Sequence, residues 1–144
     1  MFMIEQLVTS FIATAAFGII FNVPKNALLK CGFVGMFGWM VYMVLVNILE
    51  IDMMLATSVA SILIAIMSQT FAKIYKMPII VFNVSGIIPL VPGGLAYDAM
   101  RHFVVNDYST AVQLAAKAFM ISGSIAIGLV FSEVINQMIR RSRI

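Results

Sequence analysis

The stretch Phe82-Asn83-Val84-Ser85-Gly86-Ile87-Ile88-Pro89-Leu90-Val91-Pro92-Gly93-Gly94 sets two prolines, three glycines and an asparagine in the middle of an otherwise apolar segment. Pro89 has no N–H to offer the carbonyl of Ser85, and Pro92 has none for Ile88, so two helical acceptors must find other partners. A continuous helix is therefore not expected here. In hydrocarbon such orphans are costly, and a broken helix at that depth belongs inside protein or along a wet cavity. Half-helices that meet in a membrane commonly turn an N-terminus toward an anionic group and freed carbonyls toward a cation. On that reading Asn83, Ser85, Gly86, Pro89, Pro92, Gly93 and Gly94 line a solute path, with the two terminal glycines letting a ligand approach the backbone. A purely structural kink is the alternative, since neighbours in a bundle can satisfy a proline-broken backbone.

Outward from that stretch the chain suits lipid almost throughout. Of its 144 residues, 62% are hydrophobic and 10% charged, whereas a soluble domain carries about 25% charged residues. That shortage excludes an ordinary soluble protein. Charge-free intervals run from Gln6 to Pro24, Cys31 to Leu49, Met53 to Ala72 and Met77 to Tyr97, and a fifth extends from Tyr108 up to Arg140 with only Lys117 and Glu133 inside it. At about 1.5 Å per residue, roughly 20 helical residues cover the hydrocarbon thickness. The expected fold is all-α, a single transmembrane domain with spans near 4–23, 31–49, 53–72, 78–100 (discontinuous) and 111–137. The opening MFMIEQ has no basic flank and no small-residue cleavage site, so it reads as a retained span. Pro24 and Pro78 fall at loop edges, and Thr110 with Gln113 has the spacing of a capping box that would start the last helix.

Five crossings sort the charges. Lys25, Lys30, Lys73, Lys76, Arg140, Arg141 and Arg143 share one side, while the other receives Glu5, Glu50, Asp52 and Asp107 with Arg101 as its clear basic residue. Basic residues collect in cytoplasmic loops, which predicts an N-terminus outside and a C-terminus in the cytoplasm.

Small residues recur at helical spacing. Ser58, Ser61, Ala65, Ser68 and Ala72 fall on one side of the third span, Gly32, Gly35 and Gly38 on the second, and Ser124 with Gly128 on the last. Such stripes let helices approach closely in lipid, and a serine-lined path is the other reading. Just beyond the break, Tyr97, Asp98, Arg101 and His102 are the chain's one grouping of acid, base and imidazole. Offsets of three and four put Asp98 beside Arg101 and His102. They suit proton coupling or pairing with a solute, or else an interfacial ion pair that ends the span. Lys117 reads as a snorkelling side chain, and Glu133 as lying near the inner interface.

Other chemistries find little support. A net charge of +3 with no run of five basic residues gives no footprint for nucleic acid. One cysteine, Cys31, and one histidine, His102, cannot build a zinc site, so no metal or cofactor is expected. Tyr97-Asp98 resembles the Tyr-Asp pair of intramembrane aspartyl proteases, but the second aspartate in a Gly-x-Gly-Asp setting is missing. Two carboxylates must share that work, so the chain is not expected to be an enzyme.

Phe21-Asn22-Val23-Pro24, the glycine-rich second span, and Ile88-Pro89-Leu90-Val91-Pro92-Gly93 followed by Ala96-Tyr97 and Met100 resemble the carboxy-terminal membrane half of the threonine/serine exporter (ThrE) family. The likeness covers nearly the whole chain and is similar to stand-alone small subunits of the YjjB type. Pro89, Pro92 and Gly93 are the residues that match its motif. The resemblance implies a multi-pass protein of the inner (plasma) membrane that exports small carboxylates, either threonine/serine-type amino acids or a dicarboxylate such as succinate. It also implies a missing half, supplied by a YjjP-like larger membrane subunit. With an odd number of crossings here, that subunit is expected in inverted topology, the two moving substrate by alternating access. Homo-oligomerisation is a further expectation for the assembly. An accessory subunit that stabilises a larger partner without transporting anything is the alternative function.

Overall fold

The computed structural model describes residues 2–141, and Arg143 of the basic tail lies outside them. Helices run over Phe2–Ile20 (α1), Lys25–Asn47 (α2), Met53–Tyr75 (α3), Ile79–Gly86 (α4), Gly93–Val104 (α5) and Tyr108–Arg141 (α6), with a 3-10 turn at Ile88–Leu90 between α4 and α5. No strand occurs among the described residues. Four helices, α1, α2, α3 and α6, are long and apolar enough to cross a membrane, and α4 with α5, bent by 53°, makes a fifth crossing if the pair is one span.

Helix ends follow from local chemistry. Asn22, Glu50, Lys76 and Asn106 turn into the left-handed region just past α1, α2, α3 and α5. Beyond each of them the chain folds back onto the last turn: Val23 N–H donates to Gly18 at 2.9 Å, Ile51 N–H to Leu45 at 3.0 Å, Met77 N–H to Ala72 at 3.1 Å and Asp107 N–H to His102 at 2.9 Å. These bonds satisfy carbonyls that the helix leaves open. Pro24 and Pro78 then stand immediately before α2 and α4, where a missing N–H costs nothing. Asp52 caps α3 by accepting from Met54 N–H at 3.0 Å.

Two boundaries differ from the expectation. The last helix opens at Tyr108, not at Thr110, because the cap is Asp107, whose Oδ1 accepts from Thr110 N–H at 3.3 Å. A carboxylate is a stronger acceptor than a hydroxyl, so Thr110 falls inside the first turn and the capping box with Gln113 is not the start signal. Likewise α2 begins at Lys25 instead of residue 31. Its first turns hold two lysines, one of which, Lys30, places its ammonium 3.3 Å from the ring centroid of Tyr75.

The exterior, more than the core, departs from that of a soluble protein. Ser10, Thr14, Thr57, Ser61, Ser68, Ser85 and Ser132 are buried, while Leu29, Phe119 and Ile127 are exposed. Large apolar groups face outward where lipid would meet them, and small polar groups fill the helix seams. Gly32 and Gly35 of α2 are roofed by Phe11 and Thr14 of α1, and Gly38 by Ile64 of α3; a Cβ on Gly32 would come within 2.7 Å of the Phe11 ring. On α3, Ser61 lies against Gly128 of α6, and Ser58 Oγ donates to the Ser124 carbonyl at 3.3 Å. Ala65 is buried, and Ser68 is buried with its hydroxyl unpaired among the described residues. At mid-height Val34, Ala60, Ile64, Leu90, Ile121 and Ile125 form the central apolar core.

Candidate functional site at the broken helix

The break is resolved by backbone alone. Ile87 N–H is shared by the carbonyls of Asn83 and Ser85, and Val91 N–H reaches the Ile88 carbonyl at 3.2 Å. The two acceptors that Pro89 and Pro92 cannot serve are thereby satisfied through the tighter 3-10 turn. Ser85 Oγ adds a bond to the Val81 carbonyl at 2.7 Å, which Cys31 Sγ also approaches at 3.4 Å. Ala96 N–H donates to the Pro92 carbonyl, so the N–H groups of Gly94 and Leu95 precede the first full helical bond of α5.

Two clefts lie on opposite sides of this break. The first, of about 250 Å3, is lined by Asn22, Val23 and Pro24 of the α1–α2 loop and by Ile80, Val81, Val84 and Ser85 of α4. The second, of about 230 Å3, is lined by Trp39 and Tyr42 near the end of α2, by Thr57 near the start of α3, by Pro89 to Pro92, and by Lys117 of α6. The numbering along α2 places them toward opposite ends of the bundle. Gly86, between these stretches in the chain, is wedged against Val34 and Ile64: a Cβ on it would meet Val34 Cγ1 at 2.7 Å and Ile64 Cγ2 at 3.1 Å. Those two side chains are fully buried, as is Ser85 on the face of the first cleft.

The residues singled out in sequence are distributed unevenly around this geometry. Ser85 borders the first cleft, and Pro89 and Pro92 the second. Gly86 borders neither cleft and packs against Val34 and Ile64. Asn83 borders neither, and its Oδ1 is buried without a hydrogen-bond partner among the described residues. Gly93 and Gly94 have no atoms within 4 Å of where a Cβ would stand, so their backbone is approachable.

Tyr97, Asp98, Arg101 and His102 all lie on α5, yet none borders either cleft. Tyr97 and Arg101 are exposed. His102 does not pair with Asp98; its Nδ1 lies 3.2 Å from Asp107 Oδ2, the one ion pair among the described residues. The Asp107 carboxyl is held below the usual carboxylate range, chiefly by hydrogen bonds from Thr110 and further by His102.

Lys117, which the sequence presents as a snorkelling side chain, is the charged residue of the second cleft, and Trp39, Tyr42 and Thr57 join it there. A lone cation inside an apolar span is a visible signal. Its companions come from two other helices, and no spacing rule connects them to it. A third, wider groove of about 540 Å3 starts at Val91, Pro92 and Gly93 of the break and runs between α5 and α6 over Ala96, Ala111 and Ser122, with no charged residue along it.

No solved structure matches the chain. A family model described as "Threonine/Serine exporter, ThrE" matches residues 6–135, a range that begins in α1, ends in α6 and takes in both clefts. With that match across most of its length, the chain belongs to the threonine/serine exporter (ThrE) family, whose members are membrane transporters and not enzymes.

Proposed function

We propose that the chain is the small subunit of a two-component exporter of small carboxylates, with the broken fourth span lining the route. The observation that carries this reading is the pair of clefts at the break, one lined by α4 up to Ser85 and the other by Pro89 to Pro92, with the tightly packed Gly86 between those stretches in the chain. Two vestibules on either side of a break are what alternating access requires: shifting α4 relative to α5 would close one and open the other. The distribution of basic residues supports an N-terminus outside, and in that orientation the Lys117 cleft faces outward and the Asn22 cleft inward. The membrane is the inner (plasma) membrane, the partner a YjjP-like larger subunit in inverted topology, and the cargo a threonine/serine-type amino acid or a dicarboxylate such as succinate. The membrane, the larger subunit and the cargo follow from the family resemblance, and the inverted topology from the odd number of crossings and the loop charges.

Loss of preloaded radiolabelled threonine, serine and succinate from cells expressing this chain, its larger partner, or both tests the reading. Faster efflux of one label with both chains is the expected result. A second reading, an accessory subunit that stabilises its partner, draws on the apolar groove between α5 and α6, whose walls carry no charged residue. Unchanged efflux of all three labels with both chains inserted favours that second role.

A further inference from the structure

The second cleft has a chemistry of its own. Lys117 is the charged residue along its wall, and among the described residues its ammonium has no hydrogen bond or ion pair. It stands nine residues into α6, about 14 Å along the axis from the helix start. An unpaired cation at that position in an apolar span is costly unless it faces a cavity or a partner of opposite charge. Lys117 is exposed, and the cleft is the space that opens beside it. Tyr42, whose hydroxyl also lacks a partner among the described residues, borders the same space, whereas the Trp39 N–H is already taken by Gln6 Oε1 at 3.0 Å. Pro92 and Leu95 bring the N-terminus of α5 to the rim, and its open N–H groups add a partial positive charge. No acidic side chain lines the cleft, so among the described residues no carboxylate competes for Lys117 there.

We infer that this cleft is a carboxylate-binding site, with Lys117 as its anchoring cation and the Tyr42 hydroxyl as a second donor. This rests on the exporter reading above and gives it a place of recognition. A volume of about 230 Å3 is smaller than the roughly 300–1,000 Å3 of pockets for drug-sized ligands. It suits a solute of few heavy atoms. One cation matches one carboxylate group, so recognition is of a single carboxylate end, and the apolar walls from Pro89, Leu90 and Ile121 accept the rest of the molecule.

The chain's one tryptophan, Trp39, lines the same cleft and serves as a reporter. Purified full-length protein in lipid vesicles is titrated with threonine, serine and succinate, and with threoninamide as a control lacking the carboxylate, while Trp39 emission is followed. A saturable change with at least one carboxylate, absent with the amide, is expected. Lys117→Gln should weaken it by about ten-fold or more, the usual worth of a hydrogen bond to a charged group, and Lys117→Arg should retain it. If no carboxylate perturbs Trp39, or if Lys117→Gln titrates like the unsubstituted chain, the site is overturned and Lys117 is a snorkelling side chain. Efflux measured on the same variants separates the two ideas. Export that survives Lys117→Gln removes the site and leaves the exporter standing, and binding that needs Lys117 without any export does the reverse.

Discussion

His102 Nδ1 lies 3.2 Å from Asp107 Oδ2, so the last turn of α5 is tied to the residue that caps α6. The other carboxylate oxygen, Oδ1, accepts from Thr110 N–H. One aspartate therefore sets both the close of the broken span and the start of the last helix.

Acid should loosen this corner. The Asp107 carboxyl is held low, first by Thr110 and then by His102. A depressed native value means that its contribution is fully present above the ordinary carboxylate value of about 4 and disappears as pH falls through the lowered native value. The protection of residues 105–110 against hydrogen exchange, taken relative to the intrinsic rate at each pH, is expected to fall below about pH 4, and Asp107→Asn should remove that pH dependence. Unchanged protection across the acid range would refute the coupling.

Gly86 and Gly93 should respond in opposite ways to the same methyl group. Gly86→Ala drives a Cβ into Val34 and Ile64, an overpacking that costs about 1–3 kcal/mol and obstructs movement at the break. Gly93→Ala meets open space and should leave the thermal midpoint within about 0.5 kcal/mol of the parent. Melting of both variants in detergent checks the contrast, and any loss of export by Gly93→Ala then reports on function alone.

Glu50 and Lys76 sit at φ 51° and 52° without being glycine or asparagine. That conformation costs an ordinary side chain roughly 1–2 kcal/mol. Glu50→Gly should accordingly raise stability by about 1 kcal/mol, seen as a higher melting temperature. Lys76→Gly should do the same, with the added effect of removing one basic residue from its loop.

The α3–α6 seam depends on Gly128, which lies under Ser61 and the Ser58 carbonyl. Gly128→Leu should force the two helices apart at a cost of about 1–3 kcal/mol or more, and break the Ser58–Ser124 hydrogen bond. Cysteine pairs placed at Ser58 and Ser124 should cross-link readily in the parent and poorly in the Gly128→Leu background.

Much of the helix pattern was legible because it rests on one-dimensional signals. The missing N–H groups of Pro89 and Pro92 mark the break, and the shortage of charge marks the long apolar helices. Capping was harder to read. Thr110 and Gln113 satisfied a spacing rule, yet Asp107, three residues upstream, offered the better acceptor. Around the break the limits are physical too. That Gly86 has no room for a Cβ depends on Val34 and Ile64, which come from two other helices. Sequence offsets on α5 placed Asp98 near His102, but a turn at Asn106 brings Asp107 back to that ring instead.

Helix α6 has 34 residues, so it rises about 51 Å, against a hydrocarbon layer of roughly 30 Å. Some 20 Å of it must tilt away from the membrane normal or stand clear of the lipid. The end that carries Glu133, Gln137, Arg140 and Arg141, all exposed, is the end suited to water. Its final turns then form a stalk projecting past the headgroups, on which a charge such as Glu133 costs little. Hydrophobic mismatch thus makes the thickness of the surrounding bilayer a setting for the height of that stalk.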